Sequence, residues 1–395
     1  MRLIETLRQG RFFRLKFATL YLLSQLKFIH PFLPKKVSKL LPLGWNNSMF
    51  WLTFTTGGRK VYMDYYSKLR VPASFQPKVK VDDPYQFSEE DIRFFYDNGY
   101  LGPFTIMSPE EASDLKEYII NLVQDSSSSV YSFEDGDFEL DLKEKQSNGQ
   151  NSVLSNKEVA LMKMRWRDRY LDDERLRQIY KHPAITERCA HLLGLNLMLW
   201  RTQFFPKKSS NCGTPWHQAT TYLSDDMTES VLKPQDSEEL FQLTIWMALT
   251  DVTAEKGAMV VVPGSHKDVY PITAHEYKTK DNSAKEKNRF GTMSVSVEYP
   301  IEPKDIQCIE MKAGQFFMFS ERLIHGSLAN TQEEERWAIN GRIVAPNTHI
   351  YSEKMLKEGH SYRVQNVSLL KLDKWKALVI RGEDNYGYNR VLVEK

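Results

Sequence analysis

Two histidines in this chain have settings that suit a metal. His217 lies in Gly213-Thr214-Pro215-Trp216-His217-Gln218-Ala219, and His325 lies 108 residues later in Phe319-Ser320-Glu321-Arg322-Leu323-Ile324-His325-Gly326-Ser327. Neutral imidazole is a good ligand for Fe(II), and two histidines, one carboxylate and open positions make the usual non-heme iron site. The carboxylate is expected two residues after the first histidine, because strand alternation brings i and i+2 to the same face. That position is Ala219. Arg336 follows His325 by 11 residues, and a planar guanidinium can clamp a distal carboxylate with two hydrogen bonds. The set implies an iron site built around a 2-keto acid, with one ligand position that the usual carboxylate does not fill. The bland alternatives are histidines used for packing and a surface ion pair between Arg336 and Glu333–Glu335.

Residues so far apart converge only through the fold. Strand-like runs occur at 197–205, 241–249, 258–262, 307–311, 315–319 and 337–344, separated by turns such as Glu255-Lys256-Gly257, Pro263-Gly264-Ser265 and Ala313-Gly314. Many short strands with such turns point to a sandwich or barrel, and a jelly roll leaves a pocket between its two sheets. The expected class is mainly β with flanking helices, a double-stranded β-helix of cupin-like type. A helix should start at Ser88, with Asp91 completing its cap, and end at Asn98-Gly99. A second should start at Ser108-Pro109, with proline at its first position. Helical character returns over 173–195 and is cut by Pro183. Polar stretches at 126–129 and 134–152 read as a mobile loop. The hydrophilic insertions 227–239 and 274–289 are long enough to act as lids.

The net charge of +2 conceals an asymmetry: residues 1–80 carry 15 Lys and Arg against only Glu5 and Asp64, a net +13, which leaves −11 on residues 81–395. The chain divides on this basis into a basic, partly helical extension (1–80) and a catalytic domain (81–395). Phe12 to Ile29 is strongly apolar but interrupted by Arg14, Lys16 and Lys27, and its longest uncharged run is too short to span a bilayer. It reads either as an amphipathic helix on a membrane surface or as a helix packed on the body or on a partner subunit. An odd cysteine count without metal-ligand spacing (Cys189, Cys212, Cys308) and no evident leader suggest a cytoplasmic protein, with peripheral membrane association as an option. No nucleic-acid partner is expected.

Further residues carry a resemblance. Trp216-His217-Gln218, Trp246-Met247-Ala248-Leu249-Thr250-Asp251, Gly257, Pro263-Gly264-Ser265-His266-Lys267, Gly314, His325-Gly326-Ser327, Asn330 and Arg336 occur in an order and spacing that resemble the phytanoyl-CoA dioxygenase superfamily of Fe(II)/2-oxoglutarate enzymes over about residues 87–345. Ala219 stands where those oxygenases carry the ligating Asp. That replacement, with Asn98-Gly99-Tyr100-Leu101-Gly102-Pro103-Phe104, is similar to the aliphatic halogenase branch. The resemblance implies that His217 and His325 hold Fe(II), and that Thr214, Trp246 and Arg336 hold 2-oxoglutarate. It also implies that chloride fills the space at Ala219, with Thr244 and Arg342 near it. Ser224 departs from the branch, which often has Asn there. The expected activity uses O2 to chlorinate an unactivated aliphatic carbon of a natural-product or lipid-like intermediate by a radical route. The alternative is a hydroxylase of the same superfamily. The substrate would be a free small molecule or an acyl group tethered to a carrier protein.

Overall fold

The computed structural model describes residues 4, 7, 12–62, 64–124, 130–131, 133–135, 164–209, 211–218, 229–276, 289–290, 293–362 and 367–394. Ala219, Ser224, Asp225 and Asp226 lie outside the described residues, as do 126–129, 136–152 and 277–288. The longer helices among the described residues are α1 (Phe13–Gln25), α2 (Asn47–Thr55), α3 (Glu89–Asn98), α4 (Pro109–Gln124), α5 (Glu174–Tyr180) and α6 (Pro183–Leu193). The strands that concern the site are β1 (Lys60–Val61), β2 (Tyr100–Thr105), β3 (Leu197–Phe204), β4 (Thr214–His217), β5 (Gln242–Ala248), β6 (Met259–Val261) and β7 (Ile272–Glu276). They continue with β8 (Arg289–Phe290), β9 (Met293–Val297), β10 (Gln307–Ile309), β11 (Gln315–Ser320), β12 (His325–Ser327), β13 (Ala338–Val344) and β14 (Leu378–Arg381).

Six antiparallel strands form the main sheet in the order β14-β3-β13-β5-β11-β2, and four form a smaller sheet in the order β10-β6-β12-β4. Alternation along each main strand makes two faces. Leu243, Ile245, Met247, Phe316, Met318, Ile339 and Ile343 pack outward against Phe95, Leu115, Tyr180 and Leu193 of the helices. Trp246, Ala248, Phe317, Phe319 and Ala338 point inward, against Met259, Val261 and Ile309 of the small sheet. Each fully buried ring, such as Phe316 or Phe317, contributes roughly 2–3 kcal/mol through burial. This is the expected double-stranded β-helix with flanking helices.

Local signals act as the sequence suggests. Ser88 and Asp91 form a reciprocal capping box, with Asp91 N–H donating to Ser88 Oγ at 3.1 Å and Ser88 N–H to Asp91 Oδ2 at 2.8 Å. Gly99 ends α3 at φ 90°, and a Cβ there would lie 2.7 Å from the ring of His266. The described part of the 227–239 insertion is tethered rather than free. Arg70 pairs with Asp236 and Glu238 at 3.0 and 2.9 Å, and Leu232 and Lys233 form a short strand pair with His349 and Ile350.

The basic N-terminal region has its own aromatic core. Phe17 and Tyr21 of α1 stack on Phe50 of α2, with ring centroids 5.5 and 4.3 Å apart. It also joins the body: β1 pairs with β7 in a third sheet, β1-β7-β9-β8. The buried Arg322 donates to Ser67 O and Ser67 Oγ at 3.2 and 2.8 Å. Residues 60–80 are therefore stitched to the sandwich, and the N-terminal cluster includes Val61 and Ile272 at that seam.

Candidate active site

The small sheet brings the two histidines together. β4 ends at His217, β12 begins at His325, and the two residues are direct partners in the antiparallel ladder. Their ring centroids are 4.2 Å apart. Gly326 permits this approach: a Cβ there would lie 2.7 Å from Thr214 O. Each Nδ1 sits on the carbonyl oxygen two residues back, His217 on Pro215 O at 2.8 Å and His325 on Leu323 O at 2.7 Å. A carbonyl only accepts, so the proton is on Nδ1 and the neutral ring presents its lone pair at Nε2. Burial pushes both imidazole pKa values down, His325 well below its ordinary value; the Arg342 guanidinium acts on both in the same direction. Both rings are thereby held neutral, the form that ligates a metal. Gln218 braces the pair. Its amide donates to Arg322 O and Asp268 O at 2.5 and 2.8 Å and accepts from Tyr270 N–H at 2.8 Å, tying β4 to the approach to β12.

Thr214, Trp246 and Arg336 form a second group. Arg336 is 3% exposed and lies over the Trp246 ring at 5.0 Å. Its Nη1 reaches Phe205 O at 3.4 Å, its Nε has no hydrogen-bond partner, and no ion pair to it occurs among the described residues. The surface alternative is excluded: Glu335 accepts from Trp337 Nε1 at 3.0 Å, and Glu334 pairs with Lys256. Desolvation lowers the Arg336 pKa to about 10. Beside it lies Lys207, whose pKa burial and the Arg336 charge push down to about 8. Lys207 Nζ donates to Ser327 Oγ at 2.8 Å and also to Leu328 O, and Ser327 Oγ donates to Thr214 Oγ1 at 2.8 Å. Two buried cations with no buried acid beside them among the described residues make a cradle for a dianion.

Thr244 and Arg342 are directly opposite each other on β5 and β13. Thr244 alternates with the outward Leu243 and Ile245, so it shares the inner face with Trp246. Its Oγ1 is buried and has no hydrogen-bond partner among the described residues. Phe319, its partner on β11, meets the His325 ring edge-on at 4.9 Å. The eight residues singled out by sequence thus divide clearly: seven line or approach one inner face, and Ala219 lies outside the described residues. Among the described residues no carboxylate joins the histidines in a cluster of three metal-ligating groups.

Lys207 and the bracing role of Gln218 have no sequence signal of their own. Lys207 stands next to Lys208, whose side chain is 71% exposed, and only the fold separates the two. Asn330 marks Lys207 indirectly, since its amide donates to Lys207 O at 3.0 Å.

Comparison with known proteins bears on the family and the fold. A probable phytanoyl-CoA dioxygenase of Caenorhabditis elegans is 28% identical over 216 residues, covering 51% of this chain and 63% of the relative. A phytanoyl-CoA dioxygenase domain-containing protein 1 homolog of the same organism is 24% identical over 120 residues, 30% of this chain and 40% of the relative. The chain thus spans less than two thirds of either relative. Among solved structures, CytC3 superposes with a TM-score of 0.53 at 26% identity, covering 78% of this chain and 93% of that one. CytC3 with Fe(II) and alpha-ketoglutarate gives 0.54 at 24%, covering 78% and 94%, a likeness of fold. The family description for phytanoyl-CoA dioxygenase (PhyH) matches residues 95–338, and the chain belongs to that family.

Proposed function

We propose that this chain is an Fe(II)- and 2-oxoglutarate-dependent oxidoreductase that halogenates, with chloride as the halide, an unactivated aliphatic carbon of a small molecule or a carrier-tethered acyl chain. One observation carries the reading. Two ladder-paired histidines present Nε2 beside one another, while the sequence supplies Ala219 at the position that would bear the carboxylate.

The residues present fit both cofactors. His217 and His325 would hold Fe(II) through Nε2. Arg336, Lys207 and the Thr214–Ser327 hydroxyl pair would hold 2-oxoglutarate, whose carboxylate supplies the charge that the buried guanidinium lacks. With O2, iron and 2-oxoglutarate supply an oxidant able to remove hydrogen from an aliphatic carbon, 2-oxoglutarate leaving as succinate and CO2. The chain decides where that oxidising power goes. Alanine at 219 takes away both the volume and the negative charge of a ligating carboxylate, so a halide can enter with the charge balance kept. The unpartnered Thr244 hydroxyl is a donor for that anion, and Arg342 opposite it supplies positive charge. Phe317 and Phe319 keep water from the inner face.

The test is an anaerobic crystal containing Fe(II), 2-oxoglutarate and bromide, with Ala219→Asp as its companion. The proposal expects an anomalous bromide peak on iron beside Ala219, and loss of the chlorine isotope pattern from product in Ala219→Asp. A water or carboxylate on iron in place of bromide would make the chain a hydroxylase of the same family. Undiminished chlorination by Ala219→Asp would remove the halide site.

A further inference from the structure

The N-terminal helices leave an apolar surface uncovered. In α1 the residues turned inward are Phe17, Leu20, Tyr21 and Ser24. Leu15, Thr19 and Leu22 fall at i, i+4 and i+7 on the opposite stripe, with Leu15 68% and Leu22 61% exposed. The turn after the helix adds Phe28 and Phe32, 74% and 86% exposed, and α2 adds an exposed Trp51. Large rings so open are unusual in a soluble protein, and several together mark an interaction surface.

The surroundings indicate what covers them. Lys16 and Arg14 flank the exposed stripe, and Lys27, Lys35, Lys36 and Lys39 are exposed beside the two phenylalanines. No Asp or Glu occurs between Glu5 and Asp64. No helix among the described residues is long and apolar enough to cross a membrane. Leu, Phe and Trp on one side with lysines around them, and no acid to repel phosphate, is the composition of a helix lying in a lipid interface. A second copy of the chain would bring the same positive charge against itself.

We propose that residues 12–51 dock this protein on an anionic lipid surface, with Leu15, Leu22, Phe28 and Phe32 entering the interface and the lysines meeting the headgroups. The seam at 60–80 makes this docking part of the body rather than a loose tail, because Ser67 and Arg70 hold Arg322 and the 236–238 segment. Truncation would unpack Arg322, so the test uses the full chain.

Co-sedimentation is measured with neutral phosphatidylcholine vesicles and with vesicles containing phosphatidylglycerol. The wild type is expected to bind the anionic vesicles at low salt, about tenfold or more above the neutral ones, and to be released as salt rises. Leu22→Gln/Phe28→Ser/Phe32→Ser and, separately, Lys27→Glu/Lys35→Glu/Lys36→Glu should each weaken binding about tenfold or more. The substituted side chains are exposed, so an unchanged circular dichroism spectrum and melting temperature separate docking from folding. The proposal is overturned if the wild type ignores anionic vesicles at low salt or both variants bind as it does. It is equally overturned by an apolar variant that converts a stable dimer to monomer, or by salt-sensitive binding of an acidic carrier protein without vesicle binding.

Discussion

Arg336 is 3% exposed and Phe32 is 86% exposed. Ordinary burial runs the other way, with cations in water and rings in the core. Between its sheets the molecule buries Arg336 and Lys207, and no acid among the described residues neutralises them. At its amino terminus it holds phenylalanines and leucines in water. Elsewhere the main sheet is conventional, with its outward residues packed on helices. The difference teaches where to look, because each departure has a complement that the described residues do not supply. The buried cations need an anion, and the exposed rings need an apolar phase.

If the inner face is a cofactor cradle, emptying it should have graded consequences. The largest effect is expected from His217→Ala or His325→Ala, either of which should abolish Fe(II)-dependent succinate release and Fe(II) retention in equilibrium dialysis. A variant that keeps both would lose its place among the ligands. Next comes Arg336→Met. It should raise the 2-oxoglutarate KM by about a hundredfold or more, yet stabilise the cofactor-free protein by about 1–3 kcal/mol in urea unfolding, because a buried charge without an acidic partner has gone. A cofactor-free protein destabilised by this change would mean that Arg336 is structural and that the contrast with Phe32 is empty.

Lys207→Met sharpens the same point with a smaller effect, a rise in KM of about tenfold. Burial lowers the Lys207 pKa to about 8, so the free protein loses this charge as pH climbs through that value. The wild-type Kd for 2-oxoglutarate should therefore weaken above pH 8, and the Lys207→Met protein should not share that trend. A parallel pH profile in both would place the titration elsewhere. Outside the cradle, an effect on stability alone concerns Glu321, a fully buried carboxyl whose pKa burial raises from 4.5 to about 7. A folded pKa above the unfolded one gives a contribution that is complete below pH 4.5 and lost as pH rises through 7. Glu321→Gln should remove up to about 3 kcal/mol of that decline between pH 5 and 8. Equal slopes in wild type and variant would argue that Glu321 remains ionised.

Much of this was legible beforehand because it is local. The Ser88–Asp91 cap, the Gly99 stop and the alternation of β5 and β13 depend on neighbours in sequence, and the fold follows them. The histidine pair could be read because glycine and serine after His325 advertise close backbone approach. Lys207 could not be read, since its burial comes from Ser327 and Leu328, far along the chain. The orientation of α1 was equally hidden. Both its faces are apolar, so periodicity cannot say that Phe17 turns in while Leu15 turns out. β14 escaped notice because Leu378–Arg381 is a short strand beyond the motifs, and only its pairing with β3 makes it the edge of the main sheet.

The direct pairing of His217 with His325 has a kinetic consequence. The spacing of the two imidazoles belongs to the backbone ladder, and each ring is anchored to the carbonyl two residues behind it. Swinging either ring away from a metal held by both would break its anchor, and the small sheet that carries them has four strands among the described residues. Metal residence time and the breathing of this sheet are therefore neighbouring quantities. A chelator competing for the site would act as a clock for local unfolding.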